Sequence, residues 1–173
     1  MPDSFNQFPD HARLWLFASN QTLKPETATV LLRRVDEFLD QWHAHGHPVV
    51  GARLILHDHF LLVAADEQAT GVSGCSIDSL FRVLQQVERE LQVSLLDSSR
   101  VHYRDEQGAV RSVPRADFRR LVSIGEVGED THVFDNTIST MGDLRADRWE
   151  KPLRDSWHAE AFAPPPGAKV PRQ

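Results

Sequence analysis

Two apolar runs separated by a very short polar break constrain the fold of this chain more than any other feature. Residues 49–56 and 60–65 are both rich in large aliphatic side chains, as is typical of buried strands, and the pair Asp58 and His59 lies between them. A connection this short joins antiparallel strands, because parallel neighbours need a crossover of a dozen residues or more. The sequence therefore predicts a β-hairpin, and a doubly wound parallel sheet is the less favoured alternative.

The residues before the hairpin predict a strand followed by a helix. The segment 13–18 is short and rich in large apolar and aromatic side chains, which favours a strand. Pro25 suits the first turn of a helix, and Gly46 suits its end. Between them, apolar positions recur every three or four residues, at Ala28, Leu31, Val35, Phe38 and Trp42. These positions form one apolar face of the predicted helix.

The residues after the hairpin predict a second helix and another strand. Apolar positions between Ile77 and Leu91 share one helical face, and Ser76 is the predicted N-cap. Residues 100–104 then predict a strand. The resulting order of strand, helix, two strands, helix and strand predicts an α+β fold of the ferredoxin-like type, with a split βαβ arrangement.

The remaining segments predict additions to this fold. Residues 109–113 predict an extra strand, and a short third helix opens at Pro114. An irregular C-terminal wrap follows, with four large side chains as predicted buried anchors: Trp149, Leu153, Trp157 and Phe162. The predicted organisation is an extended lead-in at 1–11, a single α+β domain at 12–162, and a disordered Pro-rich tail at 163–173.

Composition excludes several classes of function. The 173 residues include 19 Lys and Arg against 25 Asp and Glu, a formal charge of −6 that disfavours nucleic acid and anionic membranes as partners. Arg33 and Arg34 are predicted to lie on a solvated helix face. The apolar runs fall far short of the ~20 residues that span a bilayer, and residues 1–5 do not resemble a secretory signal.

The single cysteine, Cys75, excludes an intrachain disulfide and is compatible with a reducing compartment. These features predict a cytoplasmic protein without a cofactor. Its partner would be an unidentified small molecule or protein, and a homo-oligomer is left open.

Four fragments of the chain together suggest a family. They are residues 42–46, 73–78, 133–136 and 155–158, in that order. The chain to about residue 162 resembles a family of small uncharacterised bacterial proteins whose members often carry the automatic label "ABC transporter ATPase". The resemblance implies a stand-alone soluble domain and no known activity.

The ATPase label is not supported by the residues. A nucleotide-binding P-loop needs a glycine pair at fixed spacing followed by lysine and a serine or threonine. Gly46 and Gly51 have that spacing, but Ala52 and Arg53 follow them. The lysine and the magnesium-binding hydroxyl are both missing, so we expect no nucleotide hydrolysis.

The small-residue loop before the second predicted helix is the strongest candidate ligand-binding segment. Its candidate residues are Gly74, Cys75, Ser76 and Asp78. Backbone N–H groups at a helix N-terminus bind anions and stabilise a cysteine thiolate, so Cys75 is also a candidate nucleophile. Asp78 would oppose both a thiolate and a bound anion. A small buried packing cysteine is therefore the favoured interpretation.

His158 is the second candidate catalytic residue. With Ser156 and Asp155 it has the residue types of a nucleophilic triad, but adjacency in sequence is not triad geometry. Brought near Cys75, His158 or His59 would supply the base of a small cysteine-dependent enzyme. The favoured function remains a small-ligand or protein-interaction module.

A metal site is not predicted. His43, His45 and His47 cluster around the end of the first helix. Residues two apart on a helix do not face the same way, so these imidazoles would not converge on one ion.

Overall fold

A computed structural model describes residues 3–44, 46–66 and 74–163, with side chains described from residue 5 and not at 74–76. The helices are α1 (Asp3–Asn6), α2 (Pro25–Asp40), α3 (Gly74–Leu91), α4 (Arg115–Ser123), α5 (Met141–Arg145) and α6 (His158–Ala161). The strands are β1 (Arg13–Ala18), β2 (His43–Ala44), β3 (His47–Pro48), β4 (Gly51–Leu56), β5 (Phe60–Ala65), β6 (Arg100–Arg104), β7 (Val110–Pro114), β8 (His132–Phe134) and β9 (Glu150–Pro152). A 3-10 turn spans Leu153–Asp155. The fold is α+β, as predicted.

The chain divides into two compact units. The first contains Met1–Leu96 and Asn136–Ala146, and the second contains Asp97–Asp135 and Asp147–Gln173. The stretch 12–162, predicted as a single domain, is therefore shared between two units. Each unit has its own antiparallel sheet.

The sheet of the first unit contains the predicted hairpin. Its strand order is β1, β5, β4, with β5 antiparallel to both neighbours. All six residues of β5 are buried, which explains why its sequence is apolar at every position rather than at alternate ones. The turn includes His57 as well as Asp58 and His59, and the first two have left-handed φ angles of 52° and 51°. Two non-glycine residues therefore adopt the backbone conformation that a tight hairpin needs.

Helices α2 and α3 pack on this sheet through the predicted apolar faces. The core includes Leu31 and Val35 of α2, Leu80 and Leu84 of α3, and alternate residues of β5. Both helix limits differ from the prediction. Helix α2 ends at Asp40 rather than at Gly46, and α3 begins at Gly74, so Ser76 lies inside the helix and is not its N-cap.

The lead-in at 1–11 was predicted to be extended, but part of it is helical. Residues 3–6 form the short helix α1, and the rings of Phe5 and Phe8 are buried. The two rings lie 6.3 Å apart between centroids. Burial of two phenylalanines gives this segment the apolar anchor that the polar appearance of its sequence conceals.

The sheet of the second unit has the strand order β7, β6, β8, β9. The predicted hairpin of β6 and β7 is present, and Tyr103 of β6 also pairs with Val133 of β8. The ferredoxin-like arrangement, in which β6 would join the first sheet as its fourth strand, is not confirmed. Helix α4 covers the second sheet and supplies Phe118 to its core.

Three of the four predicted anchors of the C-terminal wrap are buried: Trp149, Leu153 and Phe162. Trp157 is 38% exposed, because its indole covers the ring of His158 rather than filling the core. The tail prediction at 163–173 falls outside the described residues apart from Ala163. Within the described part of the chain, the helices are too short or too polar to cross a bilayer.

Candidate ligand-binding site

A cavity of about 440 Å³ lies between α2 and α3 in the first unit, and is called here the helix cavity. Helix α2 lines it with Arg34, Glu37 and Phe38, and α3 lines it with residues that include Val83 and Val87. This volume is within the range of small-molecule sites, which are largely apolar with a few placed polar groups. The cavity therefore has the size and the mixed lining of a ligand site.

Two residues that line this cavity each have a hydrogen-bond donor without an acceptor within the described residues. The donors are Nε of Arg34 and Nε1 of Trp42, and both atoms are buried. Each group is a donor only, so it needs an acceptor from elsewhere. A buried donor without a partner costs about 1–3 kcal/mol, which makes two in one cavity an exception that needs a physical reason.

The position of Trp42 is fixed by the residues around it. Its backbone N–H donates to the carbonyl of Leu39 just beyond the end of α2, and its own carbonyl accepts from Val49. The ring packs against Phe38 at 5.1 Å between centroids. It also lies against β4 at Gly51, where an added Cβ would come within 3.3 Å of it and 2.8 Å of Leu39. The sheet edge thus places the indole with only 3% of the residue exposed.

Arg34 is positioned by an ion pair. Its Nη2 atom lies 2.7 Å and 2.6 Å from the two carboxylate oxygens of Glu90 on α3. That contact holds the guanidinium across the space between the helices and leaves Nε free to donate elsewhere. Because Glu90 balances its charge and Glu37 adds a second carboxylate nearby, the cavity favours an uncharged acceptor over an anion.

Sequence reasoning did not identify these two residues. Arg34 was predicted to be solvated along with Arg33, and Trp42 was predicted to be ordinary core. One signal was present: Arg34 lies beside the apolar face of α2, between the buried residues Leu31 and Val35. A long polar side chain at such a boundary either extends to solvent or is held over the neighbouring helix, and the local pattern does not distinguish the two.

The predicted anion-binding segment lies at the start of α3. Gly74 is the first residue of the helix, and the side chains of Gly74, Cys75 and Ser76 lie outside the described residues. Asp78 is exposed and lies beyond the first turn. The roles suggested for Cys75 therefore stay predictions.

The predicted histidine candidates belong to different units. His59 belongs to the first unit, where its ring contacts the carbonyl of His57 at 3.0 Å. His158 belongs to the second unit, where its Nδ1 lies 2.7 Å from Oγ of Ser156. The structure thus brings Ser156 and His158 together. A pairing of either histidine with Cys75 stays a prediction.

The carboxylate near His158 is not the predicted one. Asp155 is largely exposed and faces Arg154. Asp135, far away in sequence, is buried, accepts from Nε1 of Trp157 at 2.9 Å and lies 3.4 Å from Nζ of Lys151. The sequence neighbour is therefore replaced by a residue that the second sheet places there.

Ser156, His158 and Asp135 do not form a nucleophilic triad. Burial lowers the pKa of His158 to about 4. The charge of Asp135 opposes this shift, and the charges of Arg115 and Lys151 add to it. An imidazole with this pKa is a weak general base at neutral pH. Ser156 is also buried and does not line the adjoining cavity.

Groups of three or more His, Cys, Asp or Glu side chains able to hold a metal ion do not occur among the described residues. His43 and His47 lie on the paired strands β2 and β3 and are exposed, and His45 lies outside the described residues.

Neither a protein-family model, nor a curated protein, nor a solved structure matches this chain. The functional argument therefore rests on the geometry of the site alone.

Proposed function

We propose that the protein is a small-ligand binding module, and that its ligand is an uncharged molecule bound in the helix cavity. The observation that carries the proposal is that two residues lining one cavity, Arg34 and Trp42, each have a buried donor, Nε and Nε1, without an acceptor among the described residues. A carbonyl oxygen or an aromatic ring nitrogen would accept from them, and a carbonyl oxygen has two lone pairs for this purpose.

The apolar part of the lining indicates the body of the ligand. Phe38, Val83 and Val87 provide apolar surface. The remaining lining residues besides Arg34, Glu37 and Trp42 are polar: Gln41, His43, Ser79 and Gln86. A flat apolar ring system that carries a carbonyl group would bury the apolar surface and satisfy both donors. Such a ligand would contribute the hydrophobic stabilisation of about 25 cal/mol per Å² of buried apolar area in addition to its hydrogen bonds.

The proposal extends the function expected from the sequence. An uncharged ligand requires neither a phosphate loop nor a bound metal, so the absence of nucleotide hydrolysis is retained as part of the proposal. A cytoplasmic location and a bacterial source, expected from the single cysteine and from the family resemblance, are likewise retained.

The first test is binding of N-methyl-2-quinolone, with 1-methylnaphthalene as the control that lacks the carbonyl group. The indole N–H resonance of Trp42 reports the contact in a ¹H–¹⁵N spectrum. The resonance of Trp149 in the second unit is the internal reference, because the ring of Trp15 packs edge-on against Trp42 at 5.8 Å and would respond with it. We expect the quinolone to move the Trp42 resonance and to bind about tenfold more tightly than the hydrocarbon, the ratio for one net hydrogen bond.

Two variants identify the donors. Arg34→Lys keeps a positive charge for Glu90 but has no Nε–H, and Arg33→Lys is its matched control on the exposed side of the helix. Trp42→Phe removes the indole N–H and keeps an aromatic ring. We expect about a tenfold loss of quinolone affinity in Arg34→Lys and in Trp42→Phe, and no change of affinity in Arg33→Lys. If water alone accepts from these donors, neither compound will move the Trp42 resonance, and the proposal fails.

A further inference from the structure

A second cavity, of about 500 Å³, lies entirely within the second unit and is called here the imidazole cavity. Its walls are mostly apolar and come from α4, from the loop after α4 and from the C-terminal segment. They include Val122, Val127, Leu153 and Phe162. His158 is the buried polar side chain in this wall, with 2% of the residue exposed.

Aromatic contacts hold the imidazole in place. The ring of Trp157 stacks on it at 3.8 Å between centroids and an interplanar angle of 24°. Phe162 stacks at 6.0 Å on the ring, and Phe118 meets it edge-on at 6.2 Å. A ring confined by three aromatic neighbours presents its free edge in a fixed direction.

The contact with Ser156 bears on which nitrogen of His158 carries the proton. Oγ of Ser156 lies 2.7 Å from Nδ1 of His158, and this is the hydroxyl's only side-chain hydrogen bond within the described residues. If Nδ1–H donated to Oγ, the hydroxyl hydrogen would lack an acceptor, and if the hydroxyl donated to Nδ1, Nε2–H would lack one. His158 lines the cavity and Ser156 does not, so only Nε2–H can find its acceptor in a bound molecule. We therefore assign the hydroxyl as the donor to Nδ1 and place the hydrogen of the neutral imidazole on Nε2.

Nε2–H has no acceptor among the described residues. The ring is neutral at physiological pH, because burial lowers its pKa to about 4. Arg115 and Lys151 also lower this pKa, and Asp135 raises it by a smaller amount than burial lowers it. A neutral donor in an apolar cavity suits an uncharged acceptor. Glu129 and Arg154 also line the cavity, but the guanidinium of Arg154 is already paired with Asp130 and Asp155, so a carboxylate would lose its hydration without gaining a free counter-charge.

We infer that the imidazole cavity is a second ligand site, which takes an uncharged apolar molecule through a carbonyl oxygen that accepts from Nε2–H of His158. The inference is independent of the proposed function, since it rests on different residues in the other unit. Ser156 is a positioning residue in this site, because it acts on the ligand only through the tautomer of His158.

The test compares acetophenone with α-methylstyrene, which differ only by a carbonyl oxygen in place of a methylene group. Binding is followed by the ¹⁵N resonances of the His158 ring. We expect acetophenone to bind the wild-type protein about tenfold more tightly than α-methylstyrene, because only the ketone satisfies the N–H. Equal affinities, or no saturable binding of acetophenone, would overturn the inference.

Variants separate the hydrogen bond from the shape of the cavity. His158→Phe keeps an aromatic ring without the N–H, and His132→Phe is the control at an exposed histidine of the same unit. We expect the preference for the ketone to disappear in His158→Phe and to persist in His132→Phe. The indole resonances of Trp149 and Trp157 show whether the unit is folded. If His158→Phe does not fold, His158→Gln replaces it, because its amide retains an N–H. We expect this variant to keep part of the preference for the ketone. Loss of all preference in a folded His158→Gln protein would count against the inference.

Discussion

The helix cavity and the imidazole cavity present their donors in chemically different ways. Arg34 and Trp42 supply N–H groups that keep their hydrogens at every pH at which a protein remains folded. His158 supplies an N–H whose placement depends on a neighbouring hydroxyl and on a neutral ring. The first unit thus has a permanent donor pair, whereas the second has a conditional donor. Acid should therefore affect the two units unequally.

The two cavities also differ in how their donors are held. In the first unit, an ion pair to Glu90 and a close approach of Gly51 fix the donors from outside the cavity. In the second unit, the buried ring of Phe118 and the partly exposed ring of Trp157 hold the imidazole of His158. A core substitution should therefore disturb the second site more than a rim substitution disturbs the first.

The largest expected effect is the loss of stability caused by Phe118→Ala. This ring is fully buried and contacts Tyr103, His158 and Phe162 with centroid distances of 5.6, 6.2 and 5.0 Å. We expect the free energy of unfolding of the second unit to fall by about 3–5 kcal/mol, the usual cost of truncating a buried phenylalanine. Urea unfolding followed by the indole resonances of each unit measures it.

The matched control is Phe81→Ala in the first unit. Phe81 is 38% exposed and packs edge-on against Phe17 at 5.5 Å. Its truncation leaves little cavity, so we expect a loss of about 1 kcal/mol. Equal losses in the two variants would show that the ring cluster does not dominate the second unit.

The next effect is a dependence of stability on pH that is confined to the second unit. The pKa of His158 is about 4 in the folded protein and about 6.5 when unfolded, so the unfolded chain binds the proton more readily. Stability is therefore fully present above about pH 6.5 and is lost as the pH falls towards 4. At about 1.4 kcal/mol per pKa unit, the loss approaches roughly 3 kcal/mol.

His158→Gln removes this proton and is the control for all other titrating groups. The charged groups that act on His158 are Asp135, Arg115 and Lys151, and they remain in the variant. We follow unfolding at Trp149 at pH 7 and at pH 4. We expect the free energy of unfolding to fall more between these pH values in the wild-type protein than in the variant. An identical pH profile for both proteins would contradict the prediction.

The sequence predicted the parts of the fold that local patterns decide. The hairpin of β4 and β5 and the faces of α2 and α3 follow from periodicity over a few residues. Short-range patterns could not predict the sheet to which β6 belongs. Strand β6 pairs with β8 through Tyr103 and Val133, which lie in segments that no short-range pattern connects.

The candidate sites were harder to predict for the same reason. His158 and Ser156 are close in sequence and were identified, whereas Asp135, the carboxylate that acts on His158, is distant in sequence and was not identified as a candidate. Arg34 and Arg33 are chemically identical neighbours, and only packing against α3 separates the one that enters a cavity from the one that faces solvent. Sequence identifies residue types well, but the position of a buried donor is a tertiary property.

The smallest expected effect, Ser156→Ala, tests the conditional donor most directly. Removing the hydroxyl leaves Nδ1 of His158 without its donor, at a cost of about 1–2 kcal/mol in the free energy of unfolding. The pKa of His158 should stay low in this variant, because burial, the main cause of the shift, is unchanged.

NMR spectra of the His158 ring report its tautomer. With Nδ1 no longer accepting a hydrogen bond, the hydrogen is free to redistribute between the two nitrogens, so the preference for acetophenone should weaken without disappearing. Asp155→Ala, a neighbouring exposed change, should alter neither the tautomer nor the preference. If Ser156→Ala leaves both the tautomer and the ketone preference as they are in the wild-type protein, the hydroxyl does not set the tautomer, and the contrast between a permanent donor pair and a conditional donor loses its structural basis.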